Sequence, residues 1–173
     1  ENLTVGAAEG DASELTFSAA DSLDVGVVAG AMMSSTIRNC VNYVPMNVKG
    51  STAEQRVTMA GFAGFVYANQ GAGCTLENLV NYGSIKAAGG SNTTNGAASV
   101  MAAGIAGLAN GATTITTTRN HISNCENYGN IESSVARSSG IVSAANQYTI
   151  VENCKNYGDQ INNGTDIRVG MIT

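Results

Sequence analysis

Apolar and polar positions along the chain follow one short pattern that returns four times. It runs Ile37-Arg38-Asn39-Cys40-Val41-Asn42-Tyr43, then Leu76-Glu77-Asn78-Leu79-Val80-Asn81-Tyr82-Gly83. It comes back as Ile122-Ser123-Asn124-Cys125-Glu126-Asn127-Tyr128-Gly129 and as Val151-Glu152-Asn153-Cys154-Lys155-Asn156-Tyr157-Gly158. The shared form is aliphatic-x-Asn-(Cys/Leu)-x-Asn-Tyr-Gly. The first unit continues into Val44-Pro45 in place of Gly, and the second has Leu79 where the others have Cys.

Within each unit the aliphatic residue (Ile37, Leu76, Ile122, Val151) is always apolar and points inward in a strand. The next residue (Arg38, Glu77, Ser123, Glu152) is polar and variable and points outward. The apolar Cys or Leu then breaks strict alternation. An Asn able to adopt left-handed backbone angles supplies the bend. The following residue (Val41, Val80, Glu126, Lys155) again reads as solvent-facing.

A looser element alternates with the first. Its members are Gly26-Val27-Val28-Ala29-Gly30, Ala60-Gly61-Phe62-Ala63-Gly64, Ala103-Gly104-Ile105-Ala106-Gly107, Ser139-Gly140-Ile141-Val142 and Val169-Gly170-Met171-Ile172. The matching glycines 26, 61, 104, 140 and 170 are spaced by 35, 43, 36 and 30 residues. The long spacings hold small polar residues, Asn47–Glu54, Gly89–Ala97 and Gly111–Thr118, which read as inserted loops. No apolar stripe of helical period persists, and only Ala53–Met59 suits a short helix.

Repeats of this length with short strands and turn residues indicate a solenoid or a propeller. A propeller blade needs about four strands, and each unit here offers two or three. The expected fold is therefore all-β: a right-handed parallel β-helix of about four to five turns with inserted loops. Residues 1–24 lack the repeat and are expected to form an N-terminal cap or an incomplete first turn. Residues 25–173 carry the repeats and stop inside what reads as a new strand, as in a fragment of a longer chain with further domains.

Stacking places each position in a column, with rungs about 4.8 Å apart. Cys40, Leu79, Cys125 and Cys154 form an inward column. Asn39, Asn78, Asn124 and Asn153, and Asn42, Asn81, Asn127 and Asn156, form two Asn columns suited to amide ladders. Tyr43, Tyr82, Tyr128 and Tyr157 form an aromatic column. Arg38 beside Glu77, and Glu126 beside Lys155, fit the same register.

The 173 residues include Lys+Arg 8 against Asp+Glu 13, for a net charge of −5. Nucleic-acid affinity comes largely from basic residues, so no nucleic-acid partner is expected. No run of 18 apolar residues is present, so no membrane insertion is expected. Aromatic residues are 5 % and Trp is absent, so the core is built from small side chains.

The alternation of Ala-Gly-φ-x-Gly with Ile-x-Asn-Cys-x-Asn-Tyr-Gly, over residues 26–173, resembles the GLUG-type repeats of bacterial surface proteins. Adhesin-like proteins and IgA-directed peptidases of gut bacteria carry such repeats as non-catalytic β-helical stalk or binding regions. The resemblance implies an extracellular or cell-surface setting.

Four Cys in such a setting suggest two disulfides. Leu79 in the Cys column argues instead for an apolar position and buried free thiols. Cys125 and Cys154 are on adjacent turns, so a disulfide between them is geometrically conceivable. No CxxC accompanies the single His121, so neither a zinc site nor a nucleophilic triad is expected. Among the aspartates, Asp21 and Asp24 are the best cluster, with Asp11, Asp159 and Asp166 scattered. The run Thr113–Thr118 reads as an outward strand or loop. No catalytic, cofactor or metal residues are expected. The reading is a non-catalytic module for adhesion to carbohydrate or a host surface protein through Asn47–Glu54 and Gly89–Ala97, or a structural spacer. A polysaccharide-acting β-helix enzyme, lyase or glycoside hydrolase, is the alternative.

Overall fold

The computed structural model describes residues 1–6, 15–19, 23–50, 56–69, 71–88, 100–111, 119–134, 137–145, 148–163 and 168–170, with backbone alone for 15–19, 50 and 168–170. Every regular element among them is a strand. The chain first forms β1 (Thr4–Val5), β2 (Leu15–Ala19), β3 (Leu23–Gly26) and β4 (Ala29–Met33). Next come β5 (Thr36–Asn42), β6 (Met46–Gly50), β7 (Val57–Ala60) and β8 (Ala63–Ala68). Then follow β9 (Thr75–Asn81), β10 (Ile85–Ala88), β11 (Val100–Ala103) and β12 (Ala106–Gly111). After these lie β13 (Asn120–Ser123), β14 (Glu126–Asn127), β15 (Ile131–Ser133), β16 (Arg137–Ser139) and β17 (Val142–Ala145). The last are β18 (Thr149–Glu152), β19 (Lys155–Asn156), β20 (Gln160–Asn162) and β21 (Arg168–Gly170).

These strands make four sheets, all parallel. Sheet I is β1-β5-β9-β13-β18, extended by β14 and β19; sheet II is β2-β6-β10-β15-β20. Sheet III is β3-β7-β11-β16-β21, and sheet IV is β4-β8-β12-β17. The chain visits I, II, III and IV in that order and begins again, which is a β-solenoid-like course. Apart from β13 with β14 and β18 with β19, which share sheet I, consecutive strands thus lie in different sheets, while paired strands are one repeat apart. Strands β1 and β2 are the outermost members of sheets I and II, so residues within 1–24 are paired into the stack.

Two expectations need correction. Ala53–Met59 is not a helix where it is described: Val57–Ala60 is β7, buried at all four positions. Its β-branched Val and Thr and its pairing with β3 and β11 outweigh a weak helical preference. Asn47–Gly50 is not loop but strand β6, in register with β2 and β10. Val48 is buried there and anchors the segment inward.

The interior is divided. One cluster joins sheets I and IV through Ile37, Leu76 and Ile122 with Val66, Ala106 and Val142. A second joins sheets II and III through Met46, Ile85 and Ile131 with Val57, Met59 and Val100. The turns from III to IV enter the first cluster with Phe62, Ile105 and Ile141, all 0 % exposed. Aromatic plugs are few, so this dense packing depends on backbones in near contact.

Candidate functional site

The repeat residues form columns whose two Asn members do different work. Asn39, Asn78, Asn124 and Asn153 have φ of 54°, 54°, 53° and 53°. All four are exposed. They bend the strand, because Asn tolerates the left-handed region better than other L residues. Asn78 Nδ2 donates to Asn39 Oδ1 at 3.0 Å in solvent.

Asn42, Asn81 and Asn127 are fully buried, and Asn156 is half-buried. Asn42 Nδ2 donates to Asn81 Oδ1, Asn81 to Asn127 and Asn127 to Asn156, each at 2.7 Å. Each Nδ2 also donates to the carbonyl two residues on: Val44 at 3.3 Å, Gly83 at 2.9 Å, and Gly129 and Gly158 at 2.8 Å. The ladder has a direction, and at its start Asn42 Oδ1 accepts from the Val44 N–H at 2.9 Å. A buried amide must satisfy both donors and its acceptor, and this arrangement does so inside the column.

The second repeating element explains its glycines here. A Cβ at Gly61, Gly104 or Gly140 would collide with the amide of Asn81, Asn127 or Asn156 respectively. The turns from sheet III to sheet IV therefore rest on the buried Asn ladder, between the two core clusters.

Cys40, Cys125 and Cys154 are free and buried, in one column with Leu79. Each thiol donates to the carbonyl two residues back: Arg38 at 3.1 Å, Ser123 at 3.2 Å and Glu152 at 3.2 Å. Cys thus serves as a small apolar side chain with one weak donor beside the Asn bend. The neighbouring Cys154 thiol, and burial, hold the Cys125 thiol well above the usual range. Cys74 lies outside the column but is also buried, near the Met32 and Tyr67 carbonyls.

Tyr43, Tyr82, Tyr128 and Tyr157 stack with centroids 5.0, 4.9 and 4.6 Å apart. Tyr128 OH donates to Glu126 at 2.9 Å, which pushes its pKa up to about 12. Arg38 pairs with Glu1 at 3.5 Å and Glu77 at 3.9 Å, Lys86 with Glu132 at 3.1 Å, and Lys155 with Glu126 at 3.7 Å.

Sequence reasoning missed a surface where the outer faces of sheets III and IV converge. Val100 and Ala102 belong to the second core cluster, so Met101 between them lies on the opposite face of β11. There it packs with Leu108 and Ala144, and Phe65 packs against this group. At the base a Cβ on Gly107 would come within 2.8 Å of the Met59 backbone N. Ser143 Oγ of sheet IV donates to the Arg137 carbonyl of sheet III at 3.1 Å. At one end the Arg56 guanidinium lies 5.2 Å over the Phe65 ring and reaches both oxygens of Asp24 at 3.1 and 3.2 Å. Thr58 Oγ1 also donates to Asp24. Tyr67 stands 5.8 Å from Phe65, and Met33 is 53 % exposed beside it. The signal was the second glycine of each Ala-Gly-φ-x-Gly element, Gly30, Gly64 and Gly107, which allows the close approach.

His121 is an exposed strand residue between Thr75 and Ile150. Asp24 is tied to Arg56, and Asp159 is exposed with its N–H on Asn130 Oδ1 at 2.9 Å. Asp11, Asp21, Asp166, Gly89–Ala97, residues 51–54 and Thr113–Thr118 lie outside the described residues. Among the described residues no three His, Cys, Asp or Glu gather to hold a metal ion, and no helix is long and apolar enough to cross a membrane. Comparison with protein families, curated proteins and solved structures returned no match.

Proposed function

We propose that this chain is a non-catalytic module of a secreted or cell-surface protein, a right-handed β-helix of four to five turns of the GLUG-repeat type. It serves adhesion to a carbohydrate or a host surface protein. The handedness follows the strong bias of parallel crossovers toward the right-handed form. The observation that carries the reading is the Asn42–Asn81–Asn127–Asn156 ladder. Together with the stacked tyrosines, it commits these side chains, repeated turn after turn, to holding one turn on the next. What varies from turn to turn is the outward side chains, and solenoids recognise partners through such surfaces. The convergence of sheets III and IV offers one: Phe65, Tyr67 and Met33 beside Arg56 and Asp24.

The test is binding of the folded chain to an array of glycans and matrix proteins, with the unfolded chain as control. Saturable binding that disappears on unfolding supports the adhesive module. A blank array leaves the same scaffold acting as a spacer and overturns adhesion to the classes arrayed.

A further inference from the structure

Four cations have an acid on the neighbouring turn: Arg38 has Glu77, Arg56 has Asp24, Lys86 has Glu132 and Lys155 has Glu126. Lys49 and Arg119 stand exposed in solvent. Arg137 differs from both groups. It is half-buried on β16 and makes no ion pair among the described residues; its Nε is buried with no hydrogen-bond partner, as are those of the ion-paired Arg38 and Arg56. Its register neighbours are Met101 on one side and Arg168 on the other. Among the described residues no acid pairs with Arg137.

Arg137 also shares the outer face of β16 with Ser139, two residues on. Ser139 is 1 % exposed, and its hydroxyl has no partner. Earlier turns place Ala60 and Ala103 in register at that position. The convergence of sheets III and IV is thus apolar at Met101 and Leu108 and turns polar and cationic one turn later. A partly desolvated guanidinium without a counter-ion is unfavourable, and its planar fork matches a carboxylate.

We propose that Arg137 is an anion-accepting position that takes a single carboxylate on an otherwise neutral glycan. This rests on the adhesive reading above. Half-buried Phe65, packed against the buried Met101 and Leu108, gives a neutral sugar ring an apolar contact two turns, about 10 Å along the axis, from Arg137. The net charge of −5 repels densely charged polymers, so the ligand carries an isolated acid.

The experiment is calorimetric titration of the intact chain with three probes. These are a neutral oligosaccharide capped by one glucuronate, the same oligosaccharide capped by glucose, and a polyuronate. The glucuronate-capped probe should bind best, and Arg137→Gln should weaken it at least about tenfold, as expected for losing a charged hydrogen-bonded pair. Arg137→Lys should fall between, because it keeps the charge and loses the fork. Arg119→Gln should leave binding unchanged. The thermal midpoint of Arg137→Gln should equal or exceed that of the parent without ligand, since no internal bond is lost.

Equal binding of the two capped probes, unaffected by Arg137→Gln, overturns the anion site and leaves glycan adhesion standing. Equal losses in Arg137→Gln and Arg119→Gln overturn it in favour of diffuse attraction. Tightest binding of the polyuronate overturns the isolated acid. Failure of all three probes overturns the site and removes its support from the glycan reading.

Discussion

Gly104 lies directly against the side-chain amide of Asn127, so closely that a Cβ on the glycine would collide with it. The contact joins the two repeating elements. The Asn ladder runs between the core clusters, and the glycine turns of sheets III and IV rest on it. Gly104→Ala should therefore destabilise by about 1–3 kcal/mol or more, because backbone and a bonded amide must both shift. Gly71→Ala should cost less, since nothing lies within 4 Å and only its φ of +93° is strained. Urea unfolding midpoints of the two variants compare these directly, and equal midpoints would contradict the close packing.

The two Asn of one repeat should respond differently to substitution. Asn127 accepts from Asn81 and donates to Asn156 and to the Gly129 carbonyl. Asn127→Ala strands these buried partners and should cost roughly 2–4 kcal/mol. Asn124 is exposed and held at φ 53°. Asn124→Ala should cost about 1 kcal/mol from the left-handed backbone, and Asn124→Gly should be near neutral. Thermal or urea unfolding of the three variants fixes the order, and Asn124→Ala costing as much as Asn127→Ala would refute this division.

The recurring Asn, Cys and Tyr mark sheet I strongly in the sequence, because a column must repeat the same chemistry at each turn. Ala-Gly-φ-x-Gly marks the turns between sheets III and IV. Sheet II carries little beyond Ile85 and Ile131, so its course is harder to read, and Asn47–Gly50 reads as loop although it is strand. Asn124 and Asn127 also look equivalent on paper. Their burial and backbone angles separate them, and a period-two pattern cannot follow a side chain through a left-handed residue. Met101 and Leu108 are core-like by residue type. Only the second glycine of the element hints that the outer faces of two sheets meet there.

Tyr128 should ionise near pH 12, because Glu126 accepts its hydroxyl proton and disfavours the phenolate. The ordinary value in the unfolded chain is about 10. The folded state binds that proton more tightly, so this contribution is complete below about pH 10 and is lost as the pH rises through about 12. Absorbance titration should show one tyrosine titrating late in the folded protein, and Glu126→Gln should shift it downward. Unchanged titration in Glu126→Gln would show that the hydrogen bond is not the cause.

The thiols should be silent in the folded protein. Cys74 and Cys125 are 0 % exposed, and Cys40 and Cys154 are 2 % exposed. A reagent must reach the sulfur, and the folded stack covers all four. Labelling should therefore follow opening of the stack, with four thiols modified in denaturant and few in buffer. Leu79→Cys extends the column and should add a fifth thiol with the same protection. It loses apolar volume at a 0 % exposed site and should destabilise by about 1–3 kcal/mol. The thiol introduced by that substitution can donate to the Glu77 carbonyl, as its column neighbours do to theirs, so the loss should fall below that of Leu79→Ala. Equal losses in the two variants would show that the thiol-to-carbonyl contact adds nothing. Fast labelling of the fifth thiol alone would place that position outside the column.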